Sequence, residues 1–248
     1  MPFFFVDELK NNNTITNDTI TNDTIINNTI IHNTITKYTI TNDTTITNTI
    51  SCKKVKPLST IDLTEFTKHT WYSQYQQEVK YQNKSSFFCV TATYNIEPTR
   101  KVPLFNGNVI SVYNYANLYQ VNGKPLNTKD GVVLCARQPN KNSNSTLLVA
   151  PCNLPNILAG DYWIIAKDEF YKWIIVSGGK PDVKYPDGCT TPTDNINHAG
   201  LWIFSRTPIM KKEDLNTCIN ILKQFGYTTK LLIPVIQENC NYNNSFIK

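Results

Sequence analysis

Between Trp71 and Arg206 the chain is divided by turn signals into short apolar segments, and no amphipathic helix interrupts them. The segments run from Trp71 to Gln76, Phe87 to Tyr94, Val109 to Asn114, Gly131 to Arg137, Thr146 to Cys152, Asp161 to Lys167, Tyr171 to Ser177 and Leu201 to Arg206. Asn106-Gly107, Asn122-Gly123, Asp130-Gly131, Gly178-Gly179 and Asp187-Gly188 separate them, dipeptides that accept the backbone angles of tight turns. Eight consecutive strands predict a meander, either closed into a barrel or folded as a sandwich. A helix follows, with Leu215, Cys218, Ile219, Leu222 and Phe225 on one face and Gly226 as its stop. Lys230 to Val235 then reads as a ninth, short strand leading to Cys240. With 40% hydrophobic residues, 11% of all residues being aromatic, there is enough apolar material for a core.

The first fifty residues are different in kind. Thr stands at 14, 19, 24, 29, 34, 39, 44 and 49, and Ile follows each of these except Thr44. An odd period of five puts successive Ile on alternate faces of a flat strand, and Thr, Asn and Asp are poor helix formers. The repeat resembles pentapeptide-repeat solenoids, but the composition favours a disordered, low-complexity arm over residues 1–50, ahead of a domain over 51–248 with its core at 66–236. Asn12, Asn17, Asn22, Asn27, Asn42, Asn83, Asn144 and Asn243 each begin a glycosylation triplet. The abundance of Asn and Ile is what an AT-rich genome yields, including those of large DNA viruses.

The net charge of +5 comes from 24 scattered Lys and Arg, which predicts no nucleic-acid partner. No stretch reaches the roughly 20 apolar residues of a membrane span, so any membrane-surface or protein partner would engage the arm. Seven cysteines suggest disulfides and an oxidising setting, secreted or virion-associated, although Met1 to Val6 lacks the basic start and long apolar run of a secretory signal. Cys218, on the buried helix face, reads as a core thiol, and the other six permit 15 pairings. Cys135 and Cys152 flank the Gln138 to Ser145 loop, three residues before it and seven after, which makes a cross-strand bridge between them a candidate.

Three motifs carry a family resemblance: Asp62-Leu63 through Phe66 to His69-Thr70-Trp71-Tyr72; Gly160-Asp161-Tyr162-Trp163-Ile164-Ile165-Ala166 with Asp168 and Tyr171-Lys172-Trp173-Ile174-Ile175-Val176; and Leu201-Trp202-Ile203-Phe204-Ser205-Arg206-Thr207-Pro208. In order and content they resemble the lipocalins of the calycin superfamily, and the second is similar to the branch containing apolipoprotein D and the bacterial outer-membrane lipocalins. His69 stands where that family usually has Gly. The resemblance implies an eight-stranded antiparallel up-and-down β-barrel, an outer C-terminal helix, and binding and transport or storage of a small hydrophobic ligand. It also implies that Arg206 stacks on Trp71 to close one end, and that Cys89 pairs with Cys240 and Cys52 with Cys189.

Indole under guanidinium is a physically sensible plug, since cation-π stacking strengthens where water is excluded. For the cavity, Lys172 facing water would turn Tyr171, Trp173 and Ile175 inward on the seventh strand, and Trp202 and Phe204 would share the face of Arg206 on the eighth. No metal or cofactor is expected, because His32, His69 and His198 have no ligand spacing. Two rival readings are an interaction or display protein with the barrel as a rigid head, and a lipid isomerase using an inward thiol. The second lacks a suitably placed cysteine, so the chain is read as a non-enzyme.

Overall fold

The computed structural model describes residues 51–128, 130–140 and 142–248; the repetitive arm lies outside them. Among the described residues two α-helices and eleven strands follow in chain order: helix α1 (Leu63–Thr67), strands β1 (Trp71–Gln77), β2 (Phe88–Ile96), β3 (Val109–Asn117), β4 (Leu134–Arg137), β5 (Thr146–Pro151), β6 (Gly160–Lys167), β7 (Trp173–Ser177), β8 (Val183–Tyr185), β9 (Gly188–Thr190) and β10 (Leu201–Ser205), helix α2 (Lys212–Gln224) and strand β11 (Leu232–Pro234).

Strands β1 to β7 pair as an antiparallel meander, and β10 joins β7 to β1 to close a ring of eight. Of the barrel and the sandwich that the strand pattern allowed, the chain forms the barrel that the resemblance implied, a closure that removes the free edges of an open sheet. The closing seam is Tyr72 opposite Ser205 and Gln76 opposite Trp202, with an irregularity between Ser73 and Tyr75. There Gln74 is the extra residue. Its amide donates to the Pro208 carbonyl at 3.0 Å and its carbonyl accepts from the Met210 amide at 3.1 Å, so the bulge is held from outside. After it, inward alternation resumes at Gln76.

β1 pairs with β2 only at Trp71 and Tyr72, and β11 takes the same edge further along, at Tyr75 to Gln77. Backbone bonds from Val235 to Gln74 and from Cys89 to Ile236 bind this returning segment to both strands. The small hairpin of β8 and β9 stands apart from the ring.

Helix α2 covers the outer face of β7 and β10. Cys218 and Leu222 are fully buried there against Trp173, Ile175 and Ile203, each large apolar side chain contributing about 1.5–3 kcal/mol. Glu213 and Asp214 in the first turn and Lys223 in the last suit the helix dipole. The helix ends as Gly226 turns left-handed at φ 81°, its amide bonding Lys223 and that of Tyr227 bonding Leu222, which satisfies two orphan carbonyls.

Three disulfides brace the fold: Cys52–Cys189, Cys89–Cys240 and Cys135–Cys152. The first two tie segments before β1 and after β11 to the rest. The third does not join directly opposed residues, since Cys135 stands opposite Ala150 and Cys152 lies just past β5. The bridge therefore spans a diagonal.

Candidate ligand-binding site

The barrel is closed at one end by side chains that the sequence places far apart. Asp62 caps α1 by accepting from the amides of Thr64 and Glu65, which sets Phe66 across the barrel floor with none of its surface exposed. Trp71 lies beneath it, also fully buried, and its Nε1 donates to the Phe66 carbonyl at 3.0 Å. The Arg206 guanidinium stacks on the indole and donates to the carbonyls of Glu65, Phe66 and His69. Burial pushes the Arg206 pKa down to about 10, partly offset by Glu65, Tyr94 and Tyr171. The last residues cover the same end: Phe246 stacks on Tyr113, and Lys248 Nζ donates to the carbonyls of Thr67 and Tyr94.

Above this floor the barrel encloses a cavity of about 640 Å³. Tyr94 stands on Phe66, ring centroids 4.7 Å apart, and its hydroxyl shares a 2.7 Å hydrogen bond with that of Tyr162. Trp202 stacks on Tyr162 in turn. Burial pushes both phenols well above their ordinary range, so both remain neutral. The walls are mainly aliphatic, from residues such as Val112, Leu134 and Val149, with Gln76 at the seam. At the mouth, the 191–200 loop is held by Asp161 and His198, 2.8 Å apart, and by the Asp161 amide on the Asn197 carbonyl.

Trp202 and Phe204 line the cavity. Tyr171, Trp173 and Ile175 do not, which corrects the facing expected for the seventh strand. Trp173 and Ile175 lie outside, under α2, while Ile174 and Val176 point in. Tyr171 is in a turn with φ 56°, and its hydroxyl accepts from the Asp62 amide at the closed end. The reason is that α2 makes both faces of β7 apolar, leaving no polar alternation to sign the face. Lys172 gave a false sign because it belongs to the turn, its amide bonded to Asp168.

Sequence reasoning missed Gln76, Tyr94 and Tyr162 as cavity residues. The alternation of β2, with Ala92 and Tyr94 set between Thr91, Thr93 and Asn95, could have given Tyr94; β6 is apolar on both faces like β7 and does not sign Tyr162, and Gln76 could not be placed without the bulge. It also missed Arg137, fully buried and donating to the carbonyls of Cys135, Ala150, Pro151 and Leu154. Cys218 is away from the cavity, its thiol pKa raised by burial. Asn144, one of the glycosylation triplets, has its carboxamide bonded to both the amide and the carbonyl of Ile61. Among the described residues no group of three or more metal-ligating side chains forms, and no helix is long and apolar enough to cross a membrane.

An eight-stranded antiparallel barrel plugged at one end, open at the other and flanked by a C-terminal helix defines the lipocalin fold. Among solved structures, the chain is similar to apocrustacyanin C2, at 16% identity over 74% of this chain and 84% of that one, with a TM-score of 0.50. It is also similar to lobster apocrustacyanin A1 (17% identity, 71% and 81% covered, TM-score 0.47) and to the major cockroach allergen Per a 4 (15%, 77% and 96%, 0.49). No protein-family model matches the chain, and no curated sequence is similar to it.

Proposed function

We propose that this chain binds a small hydrophobic molecule in its barrel, for transport or storage, and performs no chemistry on it. The observation that carries the reading is the cavity itself: preformed, mainly apolar, closed at one end and large enough for one such ligand. Trp202 and Phe204 are the wall residues we assign to ligand contact; Trp71 and Arg206 serve closure. Fold similarity supports the reading as far as architecture goes. Placement in the branch with apolipoprotein D rests on the three motifs and on the Cys52–Cys189 and Cys89–Cys240 bridges, which also favour an oxidising compartment. An AT-rich source is carried by the composition of the arm alone.

The test is titration of delipidated, disulfide-intact protein with a lipophilic fluorescent probe. Saturable binding near one per chain, in the micromolar range or tighter, is expected, since burying about 200–300 Å² of apolar ligand surface is worth roughly 5–8 kcal/mol before association costs. A folded barrel with no saturable binding overturns this reading and favours an interaction or display protein.

A further inference from the structure

Resting on the ligand-binding reading above, the aromatic rings of the cavity narrow the class of ligand. Tyr162 on β6 and Trp202 on β10 both line it and pack with the inner cluster. Their sequence neighbours Trp163, Leu201 and Ile203 belong to the outer cluster under α2. Both rings keep part of their surface exposed, and because they point into the barrel, that surface is cavity wall. Their planes lie within 24° of each other with centroids 6.5 Å apart. Rings in full face contact have centroids about 3.5–4 Å apart, so this stack is offset and leaves most of each face uncovered by the other.

Both rings are set before a ligand arrives. A Cβ at Gly200 would fall 2.0 Å from the benzo ring of Trp202, so the indole occupies the space of the absent side chain and runs along the wall towards the mouth. Gly200 has φ 110°, which also favours glycine there. Tyr162 is held at its hydroxyl by the 2.7 Å hydrogen bond to Tyr94, which rests on Phe66. In a ring of eight, strands four places apart face each other, so β6 looks across at β2 and β10 at β4. Ala92, Val112 and Leu134 line that facing side, on β2, β3 and β4. The lumen is thus a slot, with fixed aromatic surface on one side and short aliphatic side chains on the other.

We propose that the cavity selects a lipophile with a flat, rigid ring system over a puckered one built on the same carbon skeleton. A planar ring can lie against Trp202 and Tyr162 over its whole area, and aromatic pairs gain more than the buried area alone supplies. A saturated ring system meets the same wall only through its protruding hydrogens. Because neither wall ring has to be ordered on binding, the gain is not spent on immobilising side chains.

The test is calorimetric titration of the full-length, disulfide-bonded, delipidated protein with two uncharged alcohols of one skeleton, 2-naphthalenemethanol and its decahydro analogue. The aromatic alcohol is the less hydrophobic of the two, so area burial alone ranks it second. It is expected to bind about three- to tenfold more tightly, the scale of one aromatic pair. In Trp202→Leu and in Tyr162→Leu the ratio between the two affinities should fall towards one. Because the readout is a ratio within one protein, a partial loss of folded material cannot imitate the effect. Equal affinities in wild type, a preference for the decahydro alcohol, a ratio that survives both substitutions, or binding of the lipophilic probe but of neither alcohol overturns the proposal and leaves the ligand-binding reading standing. If neither the probe nor either alcohol binds, that reading fails and the proposal with it.

Discussion

The guanidinium carbon of Arg206 lies 3.5 Å from the centroid of the Trp71 ring, although the two residues are separated by nearly the whole barrel sequence. The contact joins the first strand to the end of the last strand of the ring, and its hydrogen bonds reach the carbonyls of α1 and of the turn before β1. Arg206→Ala removes the stacking and leaves carbonyls unpartnered at a buried end. Unfolding stability should drop by about 2–4 kcal/mol, lowering Tm by roughly 5–15 °C in a thermal melt. Arg206→Lys should recover little, because a point charge cannot stack and fork together.

Trp202 and Trp173 respond differently to an occupied cavity. Trp202 is on its wall, whereas Trp173 is beneath α2. Ligand addition should change tryptophan emission in wild type and in Trp173→Phe, and most of that change should vanish in Trp202→Phe. Trp202→Glu should weaken ligand binding at least tenfold by placing a carboxylate in the apolar wall, while Trp173→Phe leaves the affinity within a factor of two.

Cysteine chemistry offers a separate check. Peptide mapping without reductant should return the three bridges seen here, with Cys218 as the free thiol. Its burial raises the thiol pKa, so alkylation of native protein at neutral pH should be slow and become fast only in denaturant. Replacing both Cys89 and Cys240 by Ser opens a link 151 residues apart in sequence and should cost about 3–5 kcal/mol in a denaturant titration.

Glu97 gives the closed end a modest acid sensitivity. Burial raises its pKa, but hydrogen bonds from Arg100 and Tyr113 outweigh that, and the net shift is downward from 4.5. A carboxyl with a depressed folded pKa stabilises fully above its unfolded value and loses that contribution as pH falls through the folded one. Glu97→Gln should therefore be less stable than wild type at pH 7, and the gap should narrow below about pH 4, as read from Tm across a pH series.

The sequence by itself determined the eight strands of the ring, the outer helix with its glycine stop and the closing pair, because each is written in local pattern or in a motif, whereas the small β8–β9 hairpin was not foreseen. Short segments rich in β-branched and aromatic residues, set off by turn signals, are enough to mark the strands that form Phe88–Ile96 and Val109–Asn117. What only the tertiary structure decided was the direction in which residues point. On β7 both faces are apolar, one against the cavity and one against α2, so the side of Trp173 depends on a helix about forty residues further on. On β1 the bulge at Gln74 resets alternation, and so turns Gln76 into the barrel. Register, unlike strand identity, is a property of pairs of strands, and the cavity exists only once the ring has closed.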